Sequence, residues 1–299
     1  DTPIKKPHNE VAKAEVDKPK KEEVKEKEKK KCKICKKDYN PRCPNANKSI
    51  KPAHDLTEDE ADENLEGTGG RLTKSIVSNT RNSYKKIEDH PWYFQRKQGS
   101  RDYRSIQAHH IIVTETMDHK PIKSMCKAFG YNINHYSNGV MLPGYLDLAC
   151  HLAVPLHKSS HKATITDQKE KDVDVEFLNY PKAVRFKVKE ILSDYKKGKL
   201  CSNNQDSRQI FNNKMKKISQ KVFIKVKTFK WTLTATGKLF QTTQLGCCNE
   251  STLKSQLQAS LKDIECTHRE QSTSHTFNSK ENRVLNITKN QISYIKIGC

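Results

Sequence analysis

The sequence predicts an α+β fold: an extended N-terminal tether, a mixed core, and a smaller mixed helix and strand module at the C-terminal end. Three observations carry this. The short apolar runs Ile111-Ile112-Val113 and Val140-Met141-Leu142 read as strands. Apolar residues recur at helical spacing in Ile122, Met125, Cys126 and Phe129, and again in Val184, Val188, Ile191, Leu192 and Tyr195. Residues 1–31 are dominated by Lys, Glu, Pro and Val and hold no Phe, Tyr or Trp, so they cannot bury enough surface to fold alone.

In chain order, residues 1–50 form a charged linker with a cysteine-rich segment, 51–201 the main domain, and 202–299 the C-terminal module. Cys32-Lys33-Ile34-Cys35 has the spacing of half a zinc knuckle, and Cys43 with His54 could close a tetrahedral shell around a separate structural Zn²⁺. A reversible disulfide or plain thiols are the alternatives. Thr57-Glu58-Asp59-Glu60 resembles a capping box that opens an acidic helix, closed by Gly67 to Gly70. Trp92, Tyr93 and Phe94 are expected to pack in a core in preference to stacking on bases.

Pro121 to Gly130 reads as a two-turn helix stopped by Gly130, and Pro181 to Tyr195 as a longer one with Gly198 as its cap. A helix is expected from Asp206 to Gln220, then strands over Val222 to Lys227, Phe229 to Thr234, and in the tail from Asn282 to Ile297. Cys126 and Cys150 read as buried thiols. Cys247, Cys248, Cys266 and His268 make a weaker metal set, because adjacent cysteines do not easily share one ion.

The chain of 299 residues is 33% hydrophobic and 30% charged, with a net charge of +21. Its pI near 9.5 makes a polyanion the default partner, since clustered Lys and Arg gain affinity by releasing phosphate counterions. The first residue is Asp and not Met, and no apolar segment approaches the roughly 18 residues of a membrane span, so the chain reads as soluble, and as a fragment or processed piece of something longer. Ten irregularly spaced cysteines do not suggest a secreted disulfide scaffold.

The chemistry concentrates between residues 107 and 161. Gln107-Ala108-His109-His110 abuts the apolar run Ile111-Ile112-Val113, so the histidine pair sits at the edge of that expected strand, with the two side chains diverging. Asn138-Gly139 follows, a hairpin signal by itself. His157 and His161 come last, and after Pro155 they would share one face of a helix. Two or three imidazoles could grip one cation while another takes a proton from water, which is what a one-metal phosphodiesterase needs. A ligand set of three imidazoles favours zinc, nickel or manganese, whereas Mg²⁺ prefers oxygen; the ion, Zn²⁺, Mn²⁺, Ni²⁺ or Mg²⁺, stays open. Lys158, Lys162, Arg104 and Arg185 are candidate nucleic-acid contacts, although a solvated basic face explains such residues equally well.

Ala108-His109-His110, Asn138-Gly139-Val140-Met141-Leu142-Pro143 and Leu156-His157-Lys158-Ser159-Ser160-His161, in that order, resemble the AHH group of the HNH and endonuclease VII superfamily, nuclease domains of bacterial polymorphic toxins and type VI secretion effectors. The resemblance covers roughly residues 100 to 200. It implies a ββα-metal core in which His109, His157 and His161 bind the metal and His110 is the general base. Asn138 would tie the loop to the finger and orient His110. The stretch from Asn138 to His157 is longer than in nuclease colicins, which makes His151 a rival ligand.

The resemblance further implies a metal-dependent DNase toxin domain with little sequence preference. It would be secreted by a contact-dependent system through a delivery module, act in the target-cell cytoplasm, and be neutralised by a cognate immunity protein. A zinc-stabilised nucleic-acid-binding module without catalysis, and a ribonuclease using the same histidines, are the alternatives.

Overall fold

The computed structural model describes residues 58–98, 101–145, 148–149, 152, 154–158, 161–162, 179–201, 207–228, 230–231, 233–234, 274–278, 284–288 and 295–299. Cys32, Cys35, Cys43 and His54 lie outside the described residues, as do Cys150, His151 and the Cys247, Cys248, Cys266 and His268 set.

Helices α1 (Glu58–Leu65) and α2 (Gly69–Val77) lead into three short strands, β1 (Gln95–Gln98), β2 (Arg101–Arg104) and β3 (Ile106–His110), of which the first two pair with each other. Helix α3 (Lys120–Ala128) and strand β4 (Gly139–Pro143) follow, then β5 (His157–Lys158), α4 (Tyr180–Lys196), α5 (Ser207–Lys227) and β6 (Leu233–Thr234). Strands β7 (Ser274–Asn278) and β8 (Val284–Thr288) pair antiparallel near the end of the chain. The result is a mixed architecture, as the α+β expectation has it: five described helices with four two-stranded sheets, β1–β2, β3–β4 and β7–β8 antiparallel and β5–β6 parallel. No helix among the described residues is long and apolar enough to cross a membrane.

The central unit is the antiparallel pair β3–β4, with His109 opposite Val140 and His110 opposite Gly139. This places the histidine pair inside the strand, where the sequence suggested the apolar run beside it. Ile111, Ile112 and Val113 are buried but lie beyond β3; Asn138 accepts from the Ile111 N–H through its backbone carbonyl and bonds both backbone groups of Ile112 through its side chain. Helix α2 lies against this pair through Leu72 and Ile76, and Gly139 is what allows the approach. A Cβ there would stand 2.6 Å from Leu72 Cδ1 and 2.9 Å from Ile76 Cδ1. The glycine that reads as a hairpin signal is therefore a packing requirement at φ −129°, an ordinary extended conformation.

Helices α3 and α4 end on glycines in the left-handed region, Gly130 at φ 59° and Gly198 at φ 70°, as expected of C-terminal caps. Trp92 and Phe94 are buried, as the core reading anticipated. The run Val222 to Lys227 corrects the expectation of a strand: it continues α5 unbroken. Phe211, Met215, Ile218, Val222 and Val226 fall on one buried helical stripe, and that packing overrides the β-branched composition of the last turns. These side chains belong to the same apolar cluster as β3, β4, α3 and α4, so the helix after residue 201 shares the core of the segment before it.

Residues 295–299 run along the free edge of β4. The Met141 N–H donates to the Cys299 carbonyl at 2.7 Å, and the Gly298 N–H donates to the Gly139 carbonyl at 2.7 Å. Asn79 and Asn82 both donate side-chain N–H groups to the Gly298 carbonyl, at 3.0 and 2.8 Å.

Candidate active site

Adjacent strand residues face opposite ways, and β3 uses this to divide its two histidines. His109 points into the core and is 1% exposed, while His110 is half-buried on the other side. His157 and His161 come to His109 from further along the chain. Their ring centroids lie 4.8 and 5.0 Å from that of His109, and 5.2 Å from each other. One ligand atom from each of the three falls within 4.8 Å of the others.

The donor set fits a divalent cation. His157 Nε2 and His161 Nε2 stand 3.1 Å apart, close to the about 3.3 Å separating two nitrogens on one tetrahedral zinc with bonds near 2.0–2.1 Å. These three residues, all neutral nitrogen donors, would hold the ion.

How His157 gets there differs from the expectation. A helix starting near Pro155 would have stacked His157 over His161. Instead His157 and Lys158 form β5, paired in parallel with Leu233 and Thr234 of β6. Backbone pairing with a segment 76 residues downstream fixes His157, and the His161 ring stands beside it.

On the opposite face of β3, Asn134 holds His110. His110 Nε2 lies 3.0 Å from Asn134 Oδ1. The amide's orientation is fixed independently, since its Oδ1 accepts from the Thr68 N–H at 3.1 Å and its Nδ2 donates to the Glu66 carbonyl at 3.0 Å. An oxygen there can only accept, so His110 Nε2 must carry the N–H and its lone pair sits on Nδ1. Nδ1 is the atom available to take a proton.

This corrects the role expected of Asn138. Its side chain does tie the loop to the finger, with Oδ1 accepting from the Ile112 N–H at 2.8 Å and Nδ2 donating to the Ile112 and Ile133 carbonyls at 3.0 and 2.9 Å. Those bonds use its donors and acceptor beyond the end of β3, and it is Asn134 that holds His110. Gly67 leaves room for the imidazole: a Cβ at that position would stand 3.3 Å from the His110 ring and 2.3 Å from Thr114 Oγ1.

Burial is the first cause in lowering the pKa of every imidazole in the cluster. His157 is pushed down to about 3, with His161 and His110 adding repulsion. His109 lies well below its ordinary value for the same reason, reinforced by the charges that His157, His161 and His110 would carry. His161 and His110 are also lowered by burial, and Glu115 opposes this in both. All four are therefore neutral at pH 7, the state in which imidazole can bind a metal or accept a proton.

These groups line one cleft of about 440 Å³, together with Gly69, Thr73, Arg104, Gln107 and Glu115. Of the candidate nucleic-acid contacts, Arg104 is exposed on the cleft wall and Lys162 is exposed beside His161. The backbone of Lys158 belongs to β5, and its side chain lies outside the described residues. Arg185 instead turns back onto the protein, donating to the Glu115 carbonyl and standing 3.9 Å from Asp118.

Residues 94–222 match the model of AHH, a nuclease family of the HNH/ENDO VII superfamily with conserved AHH. This segment is similar to that family. The AHH triplet is Ala108-His109-His110 on β3, and the matched segment contains all four cleft histidines and most of α5. No curated protein and no solved structure matches the chain. Two residues that shape the AHH site escaped the sequence reading, Asn134 and Tyr180. The fully buried Tyr180 places its hydroxyl 3.1 Å from His109 Nε2.

Proposed function

We propose that this protein is a metal-dependent endonuclease that hydrolyses DNA with little sequence preference and serves as the toxic domain of a secreted antibacterial effector. The observation that carries the catalytic reading is the convergence of His109, His157 and His161 in the cleft that also holds His110. A bound divalent ion would supply charge neutralisation on the phosphoryl oxygens and stabilise the leaving oxygen. His110 Nδ1, held by Asn134 through the opposite ring nitrogen, takes the proton of the attacking water. Arg104 on the cleft wall offers a charge to the phosphate backbone, which carries no sequence information, so sequence-tolerant cutting is expected.

The test is incubation of the protein with plasmid, linear duplex and total RNA across Zn²⁺, Mn²⁺, Ni²⁺ and Mg²⁺, with and without chelator. Metal-dependent cleavage of plasmid supports the reading, cleavage of RNA alone redirects it to a ribonuclease, and binding without cleavage makes it a zinc-stabilised binding module. His110→Ala should retain metal and lose about 10²–10⁴-fold in rate. Cleavage by His110→Ala at the wild-type rate would end the assignment of the base.

The effector role rests on the resemblance to toxin nuclease domains. It entails delivery by a contact-dependent apparatus into the target-cell cytoplasm and a cognate immunity protein, for which an acidic surface suits a partner of net charge +21. Cytosolic expression should arrest growth for the wild type and not for His110→Ala.

A further inference from the structure

Tyr180 has no place in the chemistry so far, yet it touches two of the histidines that do, His109 and His161. It opens α4, where the Asn179 side chain accepts from the Lys182 N–H and Pro181 occupies the first turn, so its backbone position is set by a capped helix start. Its ring lies 5.3 Å from His109, 5.5 Å from His161 and 5.9 Å from Trp231, on the segment that leads into β6. Its hydroxyl oxygen is 2.6 Å from the Ile111 carbonyl oxygen and 3.1 Å from His109 Nε2.

A phenol has a single proton to give. Two oxygens 2.6 Å apart repel unless a hydrogen lies between them, so that proton points at Ile111. The lone pairs of the phenol oxygen then face His109, whose Nε2 must be the N–H donor. A neutral imidazole carries one N–H, which leaves the lone pair of His109 on Nδ1.

We propose that Tyr180 is the positioning residue of the metal centre: anchored on the Ile111 carbonyl, it holds His109 as the Nε2–H tautomer and so presents Nδ1 as the ligand atom. The inference rests on the metal-site reading above and adds the device that sets which nitrogen binds. Partners on the far nitrogen of a ligating histidine fix its ring and tautomer, and their loss typically costs 10–100-fold in metal affinity. The hydroxyl is also tied to the exit of β3, two residues from the ligand it orients, so strand and ligand are held by one group.

The experiment has two readings. Long-range ¹H–¹⁵N spectra of wild-type protein in chelator should show His109 protonated on Nε2, and zinc addition should shift its Nδ1 resonance. Zinc titration against a chromophoric chelator should show Tyr180→Phe, which keeps the ring and its packing, binding about 10–100-fold more weakly than wild type. A wild-type His109 protonated on Nδ1 overturns the inference, and so does a folded Tyr180→Phe protein with unchanged zinc affinity. Should Tyr180→Phe fail to fold, the wild-type tautomer alone decides. A wild type that binds no zinc, nickel or manganese overturns the metal-site reading itself, and this inference with it.

Discussion

Asn134 and Asn138 sit four positions apart in one loop and do different work. Asn134 contacts His110 directly, whereas Asn138 stitches Ile112 to Ile133. Asn134→Ala should therefore lower the cleavage rate at least about tenfold while leaving metal affinity unchanged, because the base loses its tautomer control. Asn138→Ala strands the buried Ile112 N–H and carbonyl, costing about 1–3 kcal/mol of stability for each group left unsatisfied. Melting temperature and single-turnover rate measured on both variants separate the roles; equal effects on both quantities would contradict them.

The four histidines were legible because their spacing and order are written in one stretch of chain. The partners were not, since the bond from His110 spans 24 positions and that from His109 spans 71, and neither leaves a periodic trace. Asn138 stood next to the Gly-Val-Met-Leu strand and drew the role that Asn134 performs.

At the scale of elements, the sheet is short and depends on what covers its faces and edge. Gly139→Ala would drive a methyl into Leu72 and Ile76, and overpacking of this kind costs about 1–3 kcal/mol. Removing residues 295–299 would expose the Gly139 carbonyl and the Met141 N–H at the edge of β4 and leave Asn79 and Asn82 without their shared acceptor. Both changes should lower the melting temperature, read by circular dichroism, and truncation should also speed amide exchange at Met141. Unchanged exchange at that amide would mean the tail does not hold the edge.

Helices α3 and α4 could be read ahead because their apolar stripes and terminal glycines are local signals. Residues 222–227 could not, since Val-Phe-Ile-Lys-Val-Lys alternates like a strand and only its packing against the shared core makes it helical. The two residues of β5 escaped for a related reason. Their partner strand lies beyond α5, and a ladder that short carries no pattern of its own.

For the whole molecule, the buried imidazoles couple stability to pH. His90 and His157 are each lowered to about 3, well below the ordinary imidazole value near 6.5, in both cases first by burial. A depressed folded value means that the unfolded chain binds protons more readily, so their stabilising effect is complete above pH 6.5 and is lost as pH falls towards 3. The melting temperature of metal-free protein should be flat from pH 7 to 8 and decline steadily below pH 6.5. A profile that is flat down to pH 4 would show these histidines to be solvated. The net charge of +21 predicts nucleic-acid binding that weakens steeply with salt, checked by titration at two ionic strengths.

The most direct measurement is an anomalous diffraction map of crystals grown with zinc or manganese. It should show one ion bounded by His109, His157 and His161, with the His110 imidazole uncoordinated on the other side of β3. An ion held by His110, or placed away from those three side chains, would contradict the account.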